Sequence, residues 1–237
     1  MLDPKGRVVL ISGPNRGIGW AVAQRLYEDG CFLSLGARDP KKMAAMTAGW
    51  DQTRVHHAPY DGTNWATHQA WVDSAVERFG RIDGLVNNAG ISRAMTIRDA
   101  TEEVLDEIWT VNCKAPLSMI KSALPHLEAS GTGRVINVSS LSGKRVKNDN
   151  VGYAMSKFAV MALTHALRRL SWDKGVRATA VCPSFVRTDM TAGATQIRPD
   201  EMINPGDFAV LIATVMGLPN TATIAELLVN CRLEDSL

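Results

Sequence analysis

Two hydrophobic periods take turns along this chain of 237 residues. Short, nearly continuous apolar runs occupy residues 7–12, 31–37, 54–58, 84–87, 133–139, 176–182 and 224–229. Runs of that length and character suit strands covered on both faces. Between them lie longer stretches, at 17–29, 65–79, 102–130, 150–172 and 204–216, with apolar residues three or four apart, the spacing of one helix face. Ile18, Ala21, Val22 and Leu26 make such a face, and Gly30 follows as a C-cap. Asp39 and Pro40 suit a helix cap and first turn after the second strand. Pro116 and Pro125 are expected to interrupt the stretch 102–130. Strand and helix alternate throughout, which predicts an α/β fold. A doubly wound parallel sheet of about seven strands with helices on both faces is its natural form. No linker, repeat or low-complexity tract divides the chain, so one domain over 1–237 is the economical reading.

The segment 184–205 breaks the rhythm. It is rich in Thr, Gly and Pro and carries little periodicity, as a substrate-binding loop would. Composition narrows the class. Apolar residues are 46% and charged residues 21%, and the net charge of +2 is too small to suggest nucleic acid or an anionic membrane as the main partner. The densest basic run is Lys144-Arg145-Val146-Lys147, read as a solvated loop. Cys31, Cys113, Cys182 and Cys231 form no Cys-x-x-Cys pair, which points to reduced thiols in a cytoplasmic compartment. The first residues hold no leader-like apolar core, and no stretch has the length of a membrane helix. The histidines have no metal-ligand spacing, so no metal is expected.

A glycine-rich turn joins the first strand to the first helix: Ser12-Gly13-Pro14-Asn15-Arg16-Gly17-Ile18-Gly19. Glycines allow a tight turn and let the backbone approach a pyrophosphate, while the helix N-terminus offers free N–H groups to the anion. That placement predicts a dinucleotide site. The second strand ends Leu35-Gly36-Ala37-Arg38, with no acid at its tip. Arg38, helped by Arg16, would welcome a 2′-phosphate, so NADP(H) is preferred. Asp39, were its carboxylate turned inward, would make NAD(H) acceptable.

Tyr153 and Lys157 lie four apart in a predicted helix and therefore share a face. A neighbouring ammonium favours phenolate and lowers the Tyr pKa. Moving it from about 10 to about 7 takes roughly 4 kcal/mol of differential stabilisation. Ser140 stands thirteen residues upstream of Tyr153. Hydride transfer to a carbonyl builds charge on its oxygen, and Ser140 and Tyr153 could each aim one donor at it.

These motifs, with Asn87-Asn88-Ala89-Gly90, Val111-Asn112 and Asn137-Val138-Ser139-Ser140, occur in an order that resembles the single-domain branch of the short-chain dehydrogenase/reductase family. The likeness runs from about Lys5 to Val229 and implies a Rossmann-like fold. It implies Tyr153 as general acid in reduction and base in oxidation, and Lys157 as the group that lowers its pKa and holds the nicotinamide ribose. Ser140 would hold the substrate oxygen, with Ser139 turned away. Asn112 would anchor a water relaying protons from Lys157. Gly13, Asn15, Arg16, Gly17, Ile18 and Gly19 would cradle the cofactor. Asp61 would meet the adenine edge, and Asn87, Ala89 and Gly90 would line the adenosine side. Pro183, Val186 and Thr188 would reach the nicotinamide, although Ser184 replaces the family's usual Gly. Helices 102–130 and 150–172 would pack across a two-fold axis, giving a homodimer or homotetramer.

The expected activity is interconversion of a small-molecule carbonyl, ketone or aldehyde, and an alcohol. An NAD-preferring secondary-alcohol dehydrogenase is the alternative, and a non-catalytic dinucleotide sensor a remote one. Such a sensor would be expected to lose Tyr153 or Lys157. A sugar-nucleotide epimerase would need more chain after Pro183. A Ser140 hydrolase would need a Gly-x-Ser-x-Gly turn that Asn137-Val138-Ser139-Ser140-Leu141 lacks. The ending Ala225-Glu226-Leu227-Leu228-Val229-Asn230-Cys231 differs from the Val-Asp-Gly-Gly common in the fatty-acid-synthesis reductases that the chain resembles, which favours a general carbonyl substrate.

Overall fold

A computed structural model describes residues 1–234; residues 235–237 of the expected domain lie outside the described part. Seven strands form one wholly parallel sheet in the order β3-β2-β1-β4-β5-β6-β7. They are β1 Val8–Ser12, β2 Phe32–Ala37, β3 Val55–Pro59, β4 Gly84–Asn87, β5 Arg134–Val138, β6 Arg177–Pro183 and β7 Glu226–Val229. β1, β4, β5 and β6 are buried along their whole length, which is why their sequences run apolar without alternating.

Side chains alternate across the sheet into two cores. Val9, Ile11, Leu33, Leu35, Val86 and Ile136 face α1 (Gly17–Glu28) and α7 (Pro205–Met216). Val8, Leu10, Leu85, Val135 and Ala178 face the opposite layer. There Trp71 of α3 (Trp65–Phe79), Met119 of α5 (Ala115–Ala129) and Leu167 of α6 (Val151–Leu170) close the core. The sheet is thus wound on both sides, in the Rossmann-like manner. Strand order reverses between β1 and β4, and ligands of such sheets bind at the carboxyl ends beside that switch.

Helix ends follow local chemistry. Asp39 caps α2 (Pro40–Met46) through Lys42 N, Asn64 caps α3, and Gly80 ends α3 at φ 76°. The stretch 102–130 departs from expectation in part. α4 (Glu102–Trp109) passes into a π-helical turn, Thr110–Lys114, and then into α5. The interruption expected near Pro116 is this π turn: helical backbone runs into the proline without a free start, and the ring crowds the carbonyl four residues back, at Asn112. Pro125, by contrast, stays inside α5 without breaking it. Segment 184–205 folds into two short 3₁₀ turns, Asp189–Thr191 and Pro199–Glu201, and returns on itself through a Val186–Ile203 bridge. Among the described residues no helix is long and apolar enough to cross a membrane.

Candidate active site

The glycine turn and the loop after β4 meet at the switch point. Asn88 Nδ2 donates to Ser12 O (3.0 Å) and Gly13 O (2.9 Å), and the Ser12 hydroxyl accepts from Asn88 N and Ala89 N, both at 3.1 Å. Asn88 and Ser12 hold this junction; the sequence displays both inside the quoted motifs but gives no sign of their role. Glycine is required here by contact. A Cβ on Gly19 would lie 2.3 Å from Gly13 O and 2.4 Å from Asn88 Nδ2, and Gly13 and Gly17 have φ of +65° and +54°. No side chain caps the start of α1 and no acid lies in its first turn, so its leading N–H groups face outward unclaimed. These residues fit a dinucleotide pyrophosphate. Asn15 is exposed beside them, and Ile18 packs against the core.

Around the adenosine end, Arg38 is exposed just past β2. The Asp39 carboxylate is turned to its helix cap, accepting from Lys42 N at 3.0 Å, and not inward. Asp61 follows β3, where its carboxylate accepts from Thr63 N (2.9 Å) and Thr63 Oγ1 (2.8 Å); these bonds hold its pKa down, with Arg38 adding a smaller pull. Arg16 reaches away from Arg38, to Asp189 at 3.0 Å. Both ends of that pair are about 70% exposed, so water screens it heavily. Asn87 does not face the adenosine side. Its amide is buried in the sheet and donates to Asn137 Oδ1 at 2.8 Å, and Asn137 in turn donates to Thr164.

Ser140, Tyr153 and Lys157 converge beyond β5. Ser140 opens a 3₁₀ turn, Leu141–Gly143, its hydroxyl accepts from Ser142 N at 3.1 Å, and it lies near enough to the Tyr153 phenol to favour its ionised form. Asn150 caps α6 by accepting from Tyr153 N, which fixes where the phenol emerges. Lys157 Nζ stands 5.5 Å from the Tyr153 ring centroid and donates to Val138 O at 2.9 Å. Ser139 points away, its hydroxyl donating to Lys157 O at 3.0 Å.

Burial pushes the Tyr153 phenol up, and Ser140 pulls it back. Burial drives Lys157 down to about 8, opposed weakly by Cys113 and Cys182.

Asn112, at the π turn, is buried and fully engaged. Its amide donates to Ile91 O (2.9 Å) and Ser156 Oγ (3.0 Å), and its oxygen accepts from Ile91 N (2.9 Å). Its side chain thus ties the Gly90 loop to α6. A Cβ on Gly90 would lie 3.3 Å from Asn112 Oδ1 and 3.7 Å from Lys157 Nζ, so this glycine borders the Lys157 amine. Pro183 ends β6, Val186 is buried, and Thr188 comes within contact of Gly17, where a Cβ would meet Thr188 Cγ2 at 3.0 Å. The chain's two ends of the cleft are thereby brought together.

Comparison with known proteins agrees with this geometry. Residues 7–198 match the short chain dehydrogenase family. Two agropine synthesis reductases of Rhizobium rhizogenes are 43% and 41% identical over 96% and 94% of the chain. The chain spans about half the length of those two relatives, at 53% and 52%. An uncharacterised oxidoreductase of Staphylococcus haemolyticus is 32% identical over 81% of the chain and 83% of its own length. Among solved structures, a Burkholderia cenocepacia short-chain dehydrogenase in complex with NADP superposes with a TM-score of 0.87, at 29% identity over 97% of this chain and 98% of that one. An alcohol dehydrogenase of Thermococcus sibiricus complexed with 5-hydroxy-NADP gives 0.85, at 27% identity over 94% and 95%. A 3-ketoacyl-(acyl-carrier-protein) reductase of Brucella melitensis complexed with NADH gives 0.88, at 25% identity over 96% and 98%. With the doubly wound sheet, the glycine turn at its switch point and a family match across most of its length, the chain belongs to the short-chain dehydrogenases, a family of oxidoreductases.

Proposed function

We propose that the chain is an NADP(H)-dependent reductase that interconverts a small-molecule ketone or aldehyde and its alcohol, with Tyr153 as general acid in reduction and general base in oxidation. The observation that carries this is the convergence of Ser140, the Tyr153 phenol and the buried Lys157 side chain beyond β5. The bound nicotinamide would supply or accept the hydride. Tyr153 would hand its proton to the carbonyl oxygen while Ser140 donates to the same atom, two donors aimed where charge develops. Lys157 would stabilise the resulting phenolate and bind the cofactor ribose. Gly13, Gly17 and Gly19 would admit the pyrophosphate to the start of α1, and Thr188 would meet the nicotinamide amide. Segment 184–205 would close over the substrate.

NADP(H) over NAD(H) is favoured by Arg38, whose neighbouring acid is spent on capping α2. Arg16 could turn from Asp189, since an exposed pair of that kind holds weakly. Four free thiols suit a reducing, cytoplasmic compartment. Leu117 of α5 with Met155 and Phe158 of α6 remain exposed, which suits a two-fold contact in a homodimer or homotetramer. A relative named as acting in agropine synthesis favours the reductive direction.

The test is a carbonyl and alcohol panel followed at the NADPH absorbance band. Tyr153→Phe should lower turnover about 10²- to 10⁴-fold while leaving NADPH affinity intact. Turnover unchanged in that variant would overturn the acid assignment. For cofactor choice, titration of the apo chain should give tighter NADPH than NADH, and Arg38→Glu should reverse the order. Equal binding of both nucleotides before and after the change would remove Arg38 from the account.

A further inference from the structure

The basic run Lys144-Arg145-Val146-Lys147 is not a free solvated loop. Each of its cations is paired with an acid from the C-terminal part of the chain. Lys144 Nζ meets Glu226 Oε2 at 2.6 Å, and Glu226 also receives His165 at 2.7 Å. Arg145 Nη2 and Lys147 Nζ both meet Glu234 Oε2 at 2.7 Å, with Arg145 Nε at 2.9 Å on the same oxygen. The Glu234 side chain is only 2% exposed and that of Arg145 only 16%, so this cluster is shielded as surface pairs are not. The run lies in the loop that begins at Ser140 and ends at the cap of α6, three residues before Tyr153. The same C-terminal segment also grips the other side of the cleft. Ser184 N donates to Val229 O at 2.8 Å, Cys231 Sγ to Ser184 Oγ at 3.4 Å, and Arg232 Nη1 to Gln196 O at 3.2 Å.

We propose that residues 230–234 form a strap tying the 144–150 loop to the 184–196 segment, and that Glu234 is a positioning residue that sets the spacing of the substrate cleft through Arg145 and Lys147. This rests on the carbonyl reductase reading only for what the cleft accepts. The geometry explains what the acid does here: the 144–150 loop has no regular structure, the 184–196 segment holds only one short 3₁₀ turn and a single bridge, and the strap joins the two. One buried carboxylate oxygen taking three charge-assisted bonds supplies a fixed point. Removing it leaves two cations close together with no counter-charge, so the loop should swing outward and carry Ser140 and the α6 cap with it.

The experiment compares the full chain with Glu234→Gln, Glu234→Asp and the exchange Glu234→Arg with Arg145→Glu. Hydrogen exchange is followed by peptide, NADPH affinity by titration, and kcat and KM with a carbonyl that the wild type turns over. In Glu234→Gln, exchange should rise at least 10-fold in 144–150 and in 184–196 and stay unchanged in β1, β4 and β5. NADPH affinity should stay within 2-fold, and carbonyl KM should rise at least 5-fold. Glu234→Asp and the exchanged pair should recover most of both effects. Exchange in the two segments that does not change, or that rises equally across the sheet with NADPH affinity falling alongside, would overturn the strap. If the wild type binds NADPH yet reduces no carbonyl in the panel, the carbonyl reading fails while the exchange data still decide the strap.

Discussion

At the scale of single residues, the most consequential is Lys157. The residue is 6% exposed and the one protein acceptor of its amine is a backbone carbonyl, so folding strips it of water without giving it an anion. Its pKa falls from 10.5 to about 8. Between those values the unfolded chain binds more protons than the folded one, so stability rises with pH across this window, and below about pH 8 the full penalty stands. The shift corresponds to about 3 kcal/mol. Lys157→Met removes that penalty but leaves Val138 O without its donor, which costs about 1–2 kcal/mol. The variant should therefore be more stable at pH 7 by about 1–2 kcal/mol, with the gain vanishing towards pH 10, and should be inactive. Urea unfolding at both pH values checks it. A difference between variant and wild type that is the same at pH 7 and pH 10 would show that the amine is not strained by burial.

Elements carry the second level of the design, and here reading the sequence succeeds and fails for definite reasons. Strand and helix positions were legible because both faces of the sheet are covered, leaving apolar runs such as Val8–Ser12 with nothing polar to blur them. The glycine turn and the Tyr153–Lys157 pair were legible because each needs particular residues at fixed spacing. The π geometry was not. Pro116 marks where the ladder breaks, since its ring crowds the carbonyl four residues back, but nothing in the sequence marks the widened Thr110–Lys114 form, and Pro125 leaves α5 unbroken. The purpose of the widened turn lies in contacts distant in sequence: Asn112 must reach Ile91 and Ser156 together. Asn88 and Glu234 escaped notice for the same reason, since their partners lie far away along the chain. Asn112→Ala should strand Ile91 N and O in a partly buried site, costing about 2–3 kcal/mol. It should also lower kcat, because the loop bordering Lys157 loses its anchor. Equal loss in Asn112→Asp, which keeps the acceptor for Ile91 N, would point to the amide donors as the anchoring bonds; no loss in either would remove the anchor altogether.

Across the whole molecule, the parallel sheet assigns chemistry to one edge and cohesion to the other. The candidate site residues gather towards the carboxyl ends of β1 to β6. The amino ends hold a different polar cluster. Arg134, 2% exposed at the start of β5, donates to Gly133 O, Gly175 O, Leu218 O and Asn220 Oδ1. Burial, then the nearby charges of Arg7 and Arg177, lowers it to about 10, so it remains a cation at neutral pH. It joins three connections, before β5, before β6 and after α7, whose carbonyls have few other donors. Arg134→Met would leave Gly175 O and Leu218 O without their donor, while Gly133 O keeps Arg177 N, a loss of about 3 kcal/mol with the packing of the buried guanidinium included. For a chain of this size that means about 6–12 °C in Tm. NADPH affinity should stay within about 2-fold, because the helix N-terminus that would receive the pyrophosphate lies at the opposite edge of the sheet. Calorimetry and nucleotide titration on the same preparation test both halves. A variant that keeps its Tm while losing NADPH would contradict the division, since a residue at the amino edge can reach the cofactor cleft only by disturbing the sheet between them.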